Sequence, residues 1–326
     1  MALHDTFMRM QGNHAGALVA AHLADPHKDC MTPDLKTPSH SHVLPALAVS
    51  VCGLLWGIFW LPLRWFDSQG VGSAWVALLF NLVAIAAPLP WLLKKTAWAD
   101  FLNQSLTGLI LGTAFALYTV SLAMTDVIHA ILLFYLTPVW STLAGWFLLG
   151  ERITVTRIIA VILGFAGLWA ILGGGGVPLP RNAGDWLALL SGLLWSAGTL
   201  RSFARPSQGI ALPVFCFAGG GLAASAVLLV IASALSLPMA AVSNILTVLP
   251  WIALLAIVIF VPPNFLVLWA AQRMDPGRVG ILLMTEVLVG SISAGLLAGE
   301  AYGVGEAIGT ALIVTAGLVE VWGRRS

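Results

Sequence analysis

From Val43 onward the chain alternates apolar segments of about twenty residues with short polar breaks, and an α-helix needs about that length to cross the ~30 Å of a bilayer's hydrocarbon. This rhythm constrains the fold more than any motif, because lipid offers unpaired backbone groups no partner and leaves only helices or closed barrels. The strict alternation of a barrel strand is absent, so the segments read as helices. They run approximately over 43–66, 72–93, 103–124, 127–149, 153–173, 184–203, 210–234, 246–271, 278–298 and 304–323, which predicts ten transmembrane helices. Composition agrees: 59% of residues are hydrophobic and 9% charged, against about 25% charged in soluble domains.

Ten spans put both termini on one side, and the basic residues choose that side. With the termini in the cytosol, all but two of the 15 Lys and Arg residues fall at the cytosolic face, and only Arg64 and Arg181 fall outside. The expected location is the cytoplasmic (inner) membrane, multi-pass, with the lipid bilayer as partner. Met1–His42 is polar and holds His4, His14, His22, His27, His40 and His42. It lacks the basic start, apolar run and cleavage site of a signal peptide, so residues 1–42 read as a disordered cytosolic tail, with Met31 as an alternative start. The histidine spacings match no metal-ligand pattern. Cys30, Cys52 and Cys216 form no CxxC and predict no disulfide. A net charge of +1 with no basic stripe argues against nucleic acid as a partner, and no cofactor or metal motif is present.

Short landmarks recur in register. Gly53-Leu54-Leu55-Trp56 in the first span returns as Gly192-Leu193-Leu194-Trp195 in the sixth, five helices on and running the opposite way. Leu148-Leu149-Gly150-Glu151, ending the fourth, returns as Leu297-Ala298-Gly299-Glu300, ending the ninth, and Ile131-Leu132-Leu133 matches Ile281-Leu282-Leu283. These repeats predict an all-α membrane protein of two five-helix inverted repeats, 43–173 and 184–323, joined by a linker at 174–183. Two oppositely inserted halves of this kind suit alternating access to a midplane site.

With those landmarks assembled, residues 45–323 resemble the ten-helix EamA type of the drug/metabolite transporter superfamily. "LLWGIFWLPLRW" is similar to that family's first-helix signature through Trp56, Gly57 and Arg64. "LLFYLTPVWSTLAGWFLLGERIT" resembles its fourth-helix signature through Pro138, Gly150 and Glu151. "TEVLVGSISAGLLAGE" is similar to the equivalent second-half signature, with Glu286 present but Val287 where the family usually has Pro, which predicts a weaker kink. Asn81 stands in the neighbourhood where the second helix of the family commonly has Arg. The resemblance implies a secondary transporter of small molecules.

Glu286 is the sharpest candidate for chemistry. It lies about 13 Å into its helix, near the bilayer centre, where a carboxylate costs on the order of 2.5 to 3.5 kcal/mol and must face protein or water. It is the candidate for substrate binding and proton coupling, against the plainer reading of a protonated Glu that hydrogen-bonds a neighbouring helix. Trp56, Trp140 and Trp195 lie deep, unlike Trp65, Trp75, Trp91, Trp146, Trp186, Trp251 and Trp322, which read as interfacial anchors. The deep three are candidates to line a cavity for aromatic or apolar solutes, or else pack the core. Tyr118, Tyr135, Asn81 and Asn264 are the other deep polar side chains, each a candidate substrate contact or an interhelical hydrogen bond. Pro138, Pro262 and Pro263 predict helix kinks, which makes helices 3, 4, 8 and 9 the expected cavity walls. His129, with Asp126 beside it near the outer mouth, is a second proton-coupling candidate or a simple polar pair. "GLILG" at 108–112 and "GEAIG" at 305–309 allow close helix approach, within one chain or across a homodimer.

These residues favour a secondary carrier that exports small metabolites such as amino acids or drugs, with a small-molecule substrate and either proton antiport through Glu286 or uncoupled exchange. The alternatives are a membrane-embedded enzyme and a non-transporting scaffold or sensor. "GSISAG" misses the serine-protease GxSxG because Ser291 stands where Gly is required, and no HExxH occurs.

Overall fold

The structure, a computed structural model, describes residues 43–93, 100–149, 154–171, 180–274, 276–298 and 303–322. The chain divides into two units, 1–41 and 42–326, and all described residues belong to the second. The N-terminal tail, the glycine run 173–176 and the paired ends Glu151, Arg152 and Glu300 lie outside the described residues.

Each apolar stretch is helical over its described residues. We label the resulting rods α1 (Val43–Trp56 and Trp60–Ser68), α2 (Ser73–Ala86 and Leu89–Leu92), α3 (Phe101–Met124), α4 (Val127–Phe134 and Thr137–Leu149) and α5 (Val155–Ile171). There follow α6 (Ala183–Ala204), α7 (Ala211–Ala234), α8 (Val242–Leu255, Ala256–Phe260 and Val261–Ala271), α9 (Pro276–Leu282, Thr285–Ser293 and Ala294–Ala298) and α10 (Val304–Trp322). Five of the rods, α1, α3, α6, α7 and α8, are long and apolar enough to cross a membrane, and the other five contain shorter apolar helices.

The breaks have local causes. Proline cannot donate to the carbonyl four residues back. Pro62 therefore leaves Ile58 O without its helical donor beside the turn at 57–59, Pro88 interrupts α2, and Pro138 follows the turn at 135–136 in α4. In α8 the strain before Pro262 and Pro263 is absorbed as a π-helical turn, Ala256–Phe260, the usual form of a widened helix. α9 breaks at Leu283–Met284 although no proline is nearby, so the weaker kink expected from Val287 is not what the chain forms. Side-chain hydroxyls hold this break instead: Thr285 Oγ1 lies 2.9 Å from Leu282 O and 3.0 Å from Ser50 O, and the Tyr135 hydroxyl lies 2.6 Å from Leu283 O.

Small residues decide which rods meet. A Cβ on Gly108 or Gly112 would fall inside the backbone of α7 at Cys216 and Gly221, so α3 and α7 touch main chain to main chain and run parallel. α3 and α6 run antiparallel, with Leu111 against Gly198, Met124 against Gly184 and Gln104 Nε2 donating to Arg205 O at 3.2 Å. α5 and α10 run antiparallel through Gly167 against Gly309 and Gly305 against Ala170. Both small-xxx-small patterns therefore serve packing inside the chain. The centre is aromatic: Phe260 lies 5.2 Å from Phe115 and 5.4 Å from Phe80 between ring centroids.

Of the expected interfacial tryptophans, Trp65, Trp91, Trp146, Trp186 and Trp251 are exposed as anchors should be. Trp75 is half-buried against the core instead, and the Trp322 side chain lies outside the described residues. At the start of α6 a buried polar corner ties the α3–α4 turn to α6. Asp185 accepts from Thr125 Oγ1 at 2.6 Å and from the Arg181 amide at 2.9 Å, while Asn182 Oδ1 caps α6 by accepting from the Asp185 amide. Asp185→Ala removes the buried acceptor of two part-buried hydrogen bonds and is expected to cost about 2 kcal/mol, read as a lowered unfolding midpoint in detergent. An unchanged midpoint would show that the corner contributes nothing.

Candidate functional site: a buried carboxylate between two phenols

Three rods bring their deepest polar groups to one point. Glu286 on α9 is 1% exposed. Tyr118 of α3 donates to its Oε1 at 2.5 Å, and the Tyr135 hydroxyl of α4 lies 2.8 Å from its Oε2. Tyr118 sits in the continuous, buried second half of α3, which fixes its direction. Tyr135 is the first residue of the α4 break, where Thr137 Oγ1 takes over the Phe134 carbonyl at 2.5 Å. Gly192 lets α6 press directly on Phe134 O, and Ser196 Oγ donates to Thr137 O at 3.0 Å. On the other side, a Cβ at Gly53 would lie 3.0 Å from Leu283 O, and one at Gly57 would lie 3.0 Å from Glu286 O. α1 can therefore approach the Glu286 backbone only because both positions are glycine.

The repeated quartet thus does the same work twice. Gly53 seats α1 against the α9 break, and Gly192 seats α6 against the α4 break. Trp56 and Trp195, three residues after each glycine, meet edge-to-face at 6.0 Å. Phe115 packs on Trp56 at 5.5 Å, while Phe134 packs on Tyr118 at 4.6 Å and on Trp195 at 6.1 Å, completing an aromatic wall beside the carboxylate. The indole Nε1 groups of Trp56 and Trp195 are buried with no hydrogen-bond partner. Such donors are costly unless a ligand or an altered conformation satisfies them.

The structure unites Glu286, Tyr118, Tyr135, Trp56 and Trp195. Among the described hydrogen bonds and ring contacts none joins Trp140, Asn81, Asn264 or His129 to them, whereas Pro138 lines a small crevice with Tyr135. Trp140 is half-buried with its Nε1 unpaired. Asn81 donates to Ala77 O at 2.8 Å within its own helix and faces Gly221 of α7. Asn264 donates to Phe260 O at 2.7 Å, back to the last residue of the π-helical turn that precedes Pro262 and Pro263. His129 faces Asp126 at 3.7 Å, and Asp126 is 67% exposed, so this pair sits at the surface. Of the expected walls, α3, α4 and α9 meet, but α1 and α6 supply the others. α8 turns Pro262, Val261 and Phe265 toward a separate groove of about 1140 Å³ shared with Trp91 and Ile210. Phe115 and Phe134 escaped sequence reading because an aromatic on an apolar helix looks like any core residue. Among the described residues no group of three His, Cys, Asp or Glu side chains could hold a metal ion.

A helical chain with several apolar rods and a neutral-looking interior around one carboxylate defines a multi-pass membrane protein. Residues 43–173 match the EamA-like transporter family. That match covers the rods α1 to α5, so the likeness to EamA-like transporters is a likeness of this part of the chain. It is 28% identical over 162 residues to the uncharacterized transporter YvbV of Bacillus subtilis (strain 168), a match that covers 48% of this chain and 52% of that protein. The match thus spans about half the length of this curated relative. A solved crystal structure is similar over 88% of this chain and 100% of its own, with a TM-score of 0.59 and 22% identity, a likeness of fold alone.

Proposed function

We propose that the chain is a secondary transporter that moves small metabolites such as amino acids or drugs out of the cytosol by alternating access, in antiport with protons carried by Glu286. The observation that carries this reading is the fully buried Glu286, held by phenols from two other rods and bordered by two unsatisfied indole donors. A carboxylate at that depth is functional by default.

Ten spans in two inverted halves are supported by the packing directions. α1 with α9, α3 with α7 and α4 with α6 run parallel, while α3 with α6 and α5 with α10 run antiparallel, as strict alternation across a membrane requires. The exchange of equivalent contacts between halves, Gly53 on the α9 break and Gly192 on the α4 break, supports the same arrangement. Transport rather than catalysis also fits the EamA-like domain.

The test is efflux from proteoliposomes loaded with pooled labelled amino acids and small metabolites, with and without an imposed pH gradient. Efflux above that of empty vesicles, accelerated by the gradient, is the expected result. Efflux that ignores the gradient would overturn proton coupling, and none from any pool would overturn the assigned substrate class.

A further inference from the structure

Tyr135 has one hydroxyl proton and two neighbours within bonding distance, Leu283 O at 2.6 Å and Glu286 Oε2 at 2.8 Å. A backbone carbonyl can only accept. If Tyr135 donates to Leu283 O, its contact with Glu286 is a hydrogen bond only when Oε2 carries a proton and donates it to the phenol oxygen. Tyr118 then donates to Oε1, and every donor in the cluster has an acceptor. With Glu286 ionised the network closes differently: each phenol donates to one carboxylate oxygen, and Leu283 O keeps only the Glu286 amide at 2.8 Å.

Tyr135 and its carbonyl neighbour both sit at helix breaks. Tyr135 lies in the break of α4 and Leu283 in the break of α9. We propose that Tyr135 is a positioning residue that ties the α4 break to the α9 break when Glu286 is protonated and releases that tie when the proton leaves. This rests on the transport reading above and specifies its coupling step. Release breaks the Oε2–H bond and hands the proton to water, while Tyr135 keeps its own proton and only turns its hydroxyl. Tyr135, Pro138, Arg157 and Met284 line a crevice of about 20 Å³, room for about one water beside Tyr135.

Among the described residues the titratable groups that face Glu286 are Tyr118 and Tyr135. Of the other rods packed against α9, α1 directs the Cys52 thiol to Pro263 O, and α6 holds Asp185 in its N-terminal corner and Arg201 in its last turn. α8 lays Arg273 over Trp269, and α10 bonds Glu306 to the Gly303 amide. Among the described contacts none of these reaches Glu286.

The test is backbone hydrogen–deuterium exchange over residues 131–139, in lipid nanodiscs, for wild type, Tyr135→Phe, Tyr118→Phe and Glu286→Gln across a pH series. Comparing variants at one pH cancels the intrinsic pH dependence of exchange. At acidic pH wild type should exchange more slowly than Tyr135→Phe by roughly two- to tenfold, the factor of one net hydrogen bond, and the ratio should fall as pH rises and the phenol turns from the break carbonyl to the carboxylate. Tyr118→Phe keeps the tie and should behave as wild type does. Glu286→Gln, whose amide N–H can donate to Tyr135 at any pH, should stay slow throughout.

A ratio that does not vary with pH, or a Glu286→Gln ratio that falls as in wild type, would overturn the proposal. If Tyr135→Phe does not fold, infrared difference spectra of wild type minus Glu286→Gln decide instead. A protonated-carboxyl C=O band at acidic pH is required, and its absence overturns the switch. None of these measurements needs substrate, so a pH-dependent ratio without gradient-driven efflux would refute proton-coupled transport of these substrates and leave the switch standing.

Discussion

Glu286→Gln should reduce gradient-driven efflux to the leak rate of empty vesicles while leaving the protein folded. The side chain is nearly isosteric, its carbonyl can accept from Tyr118, and its amide can donate to Tyr135, so the hydrogen bonds that position α3, α4 and α9 survive. What it lacks is a proton to release. The unfolding midpoint should therefore stay close to wild type, within about 0.5 kcal/mol, as for substitutions that leave no buried group unpaired. Gradient stimulation of Glu286→Gln equal to that of wild type would make the carboxylate a structural tie and remove the coupling from the mechanism.

The second large effect concerns the α3–α7 seam. A Cβ at Gly112 would overlap the Gly221 amide nitrogen and the Phe217 carbonyl, which belong to backbone and cannot swing aside. Gly112→Ala must push two rods apart along a seam that also seats Gly108 and Gly220, and should cost about 3 kcal/mol, the upper part of the range for overpacking. Gly112→Leu should prevent recovery of folded protein. Gly164 of α5 is the control, since a Cβ there meets nothing within 4 Å. Gly164→Ala should be neutral or stabilising by up to about 1 kcal/mol through helix propensity. Equal unfolding midpoints for the two alanine variants would mean that the close approach of α3 and α7 contributes nothing to stability.

Much of the site was legible because burying a carboxylate in lipid is costly enough to single out Glu286, and because a glycine three residues before a deep tryptophan occurs twice. Tyr118 and Tyr135 were legible as deep polar groups, but as separate ones. Their distances from Glu286 along the chain, 168 and 151 residues, carry no sign that three rods converge. Asn81 and Asn264 carry the same sequence signal and go elsewhere, each donating to its own helix four residues back. Depth along a rod can be counted from sequence, whereas the direction a side chain faces depends on which neighbour fills the adjoining groove.

The α9 break shows the same division. Proline is a local cause of a kink, and its absence at Val287 predicts a straighter helix; the hydroxyls of Thr285 and Tyr135 hold the break open, and one of them comes from another rod. Sequence by itself determined that the chain is helical and membrane-embedded, that one carboxylate lies deep, and which short motifs recur, because hydropathy and charge act along one dimension. Only the tertiary structure decided that the two copies of the quartet meet at their tryptophans, that α1 and α6 rather than α8 wall the carboxylate, and that one phenol bridges two helix breaks. Those outcomes depend on where glycines allow backbones to touch and on how a single hydroxyl proton is shared, and both follow from packing in three dimensions.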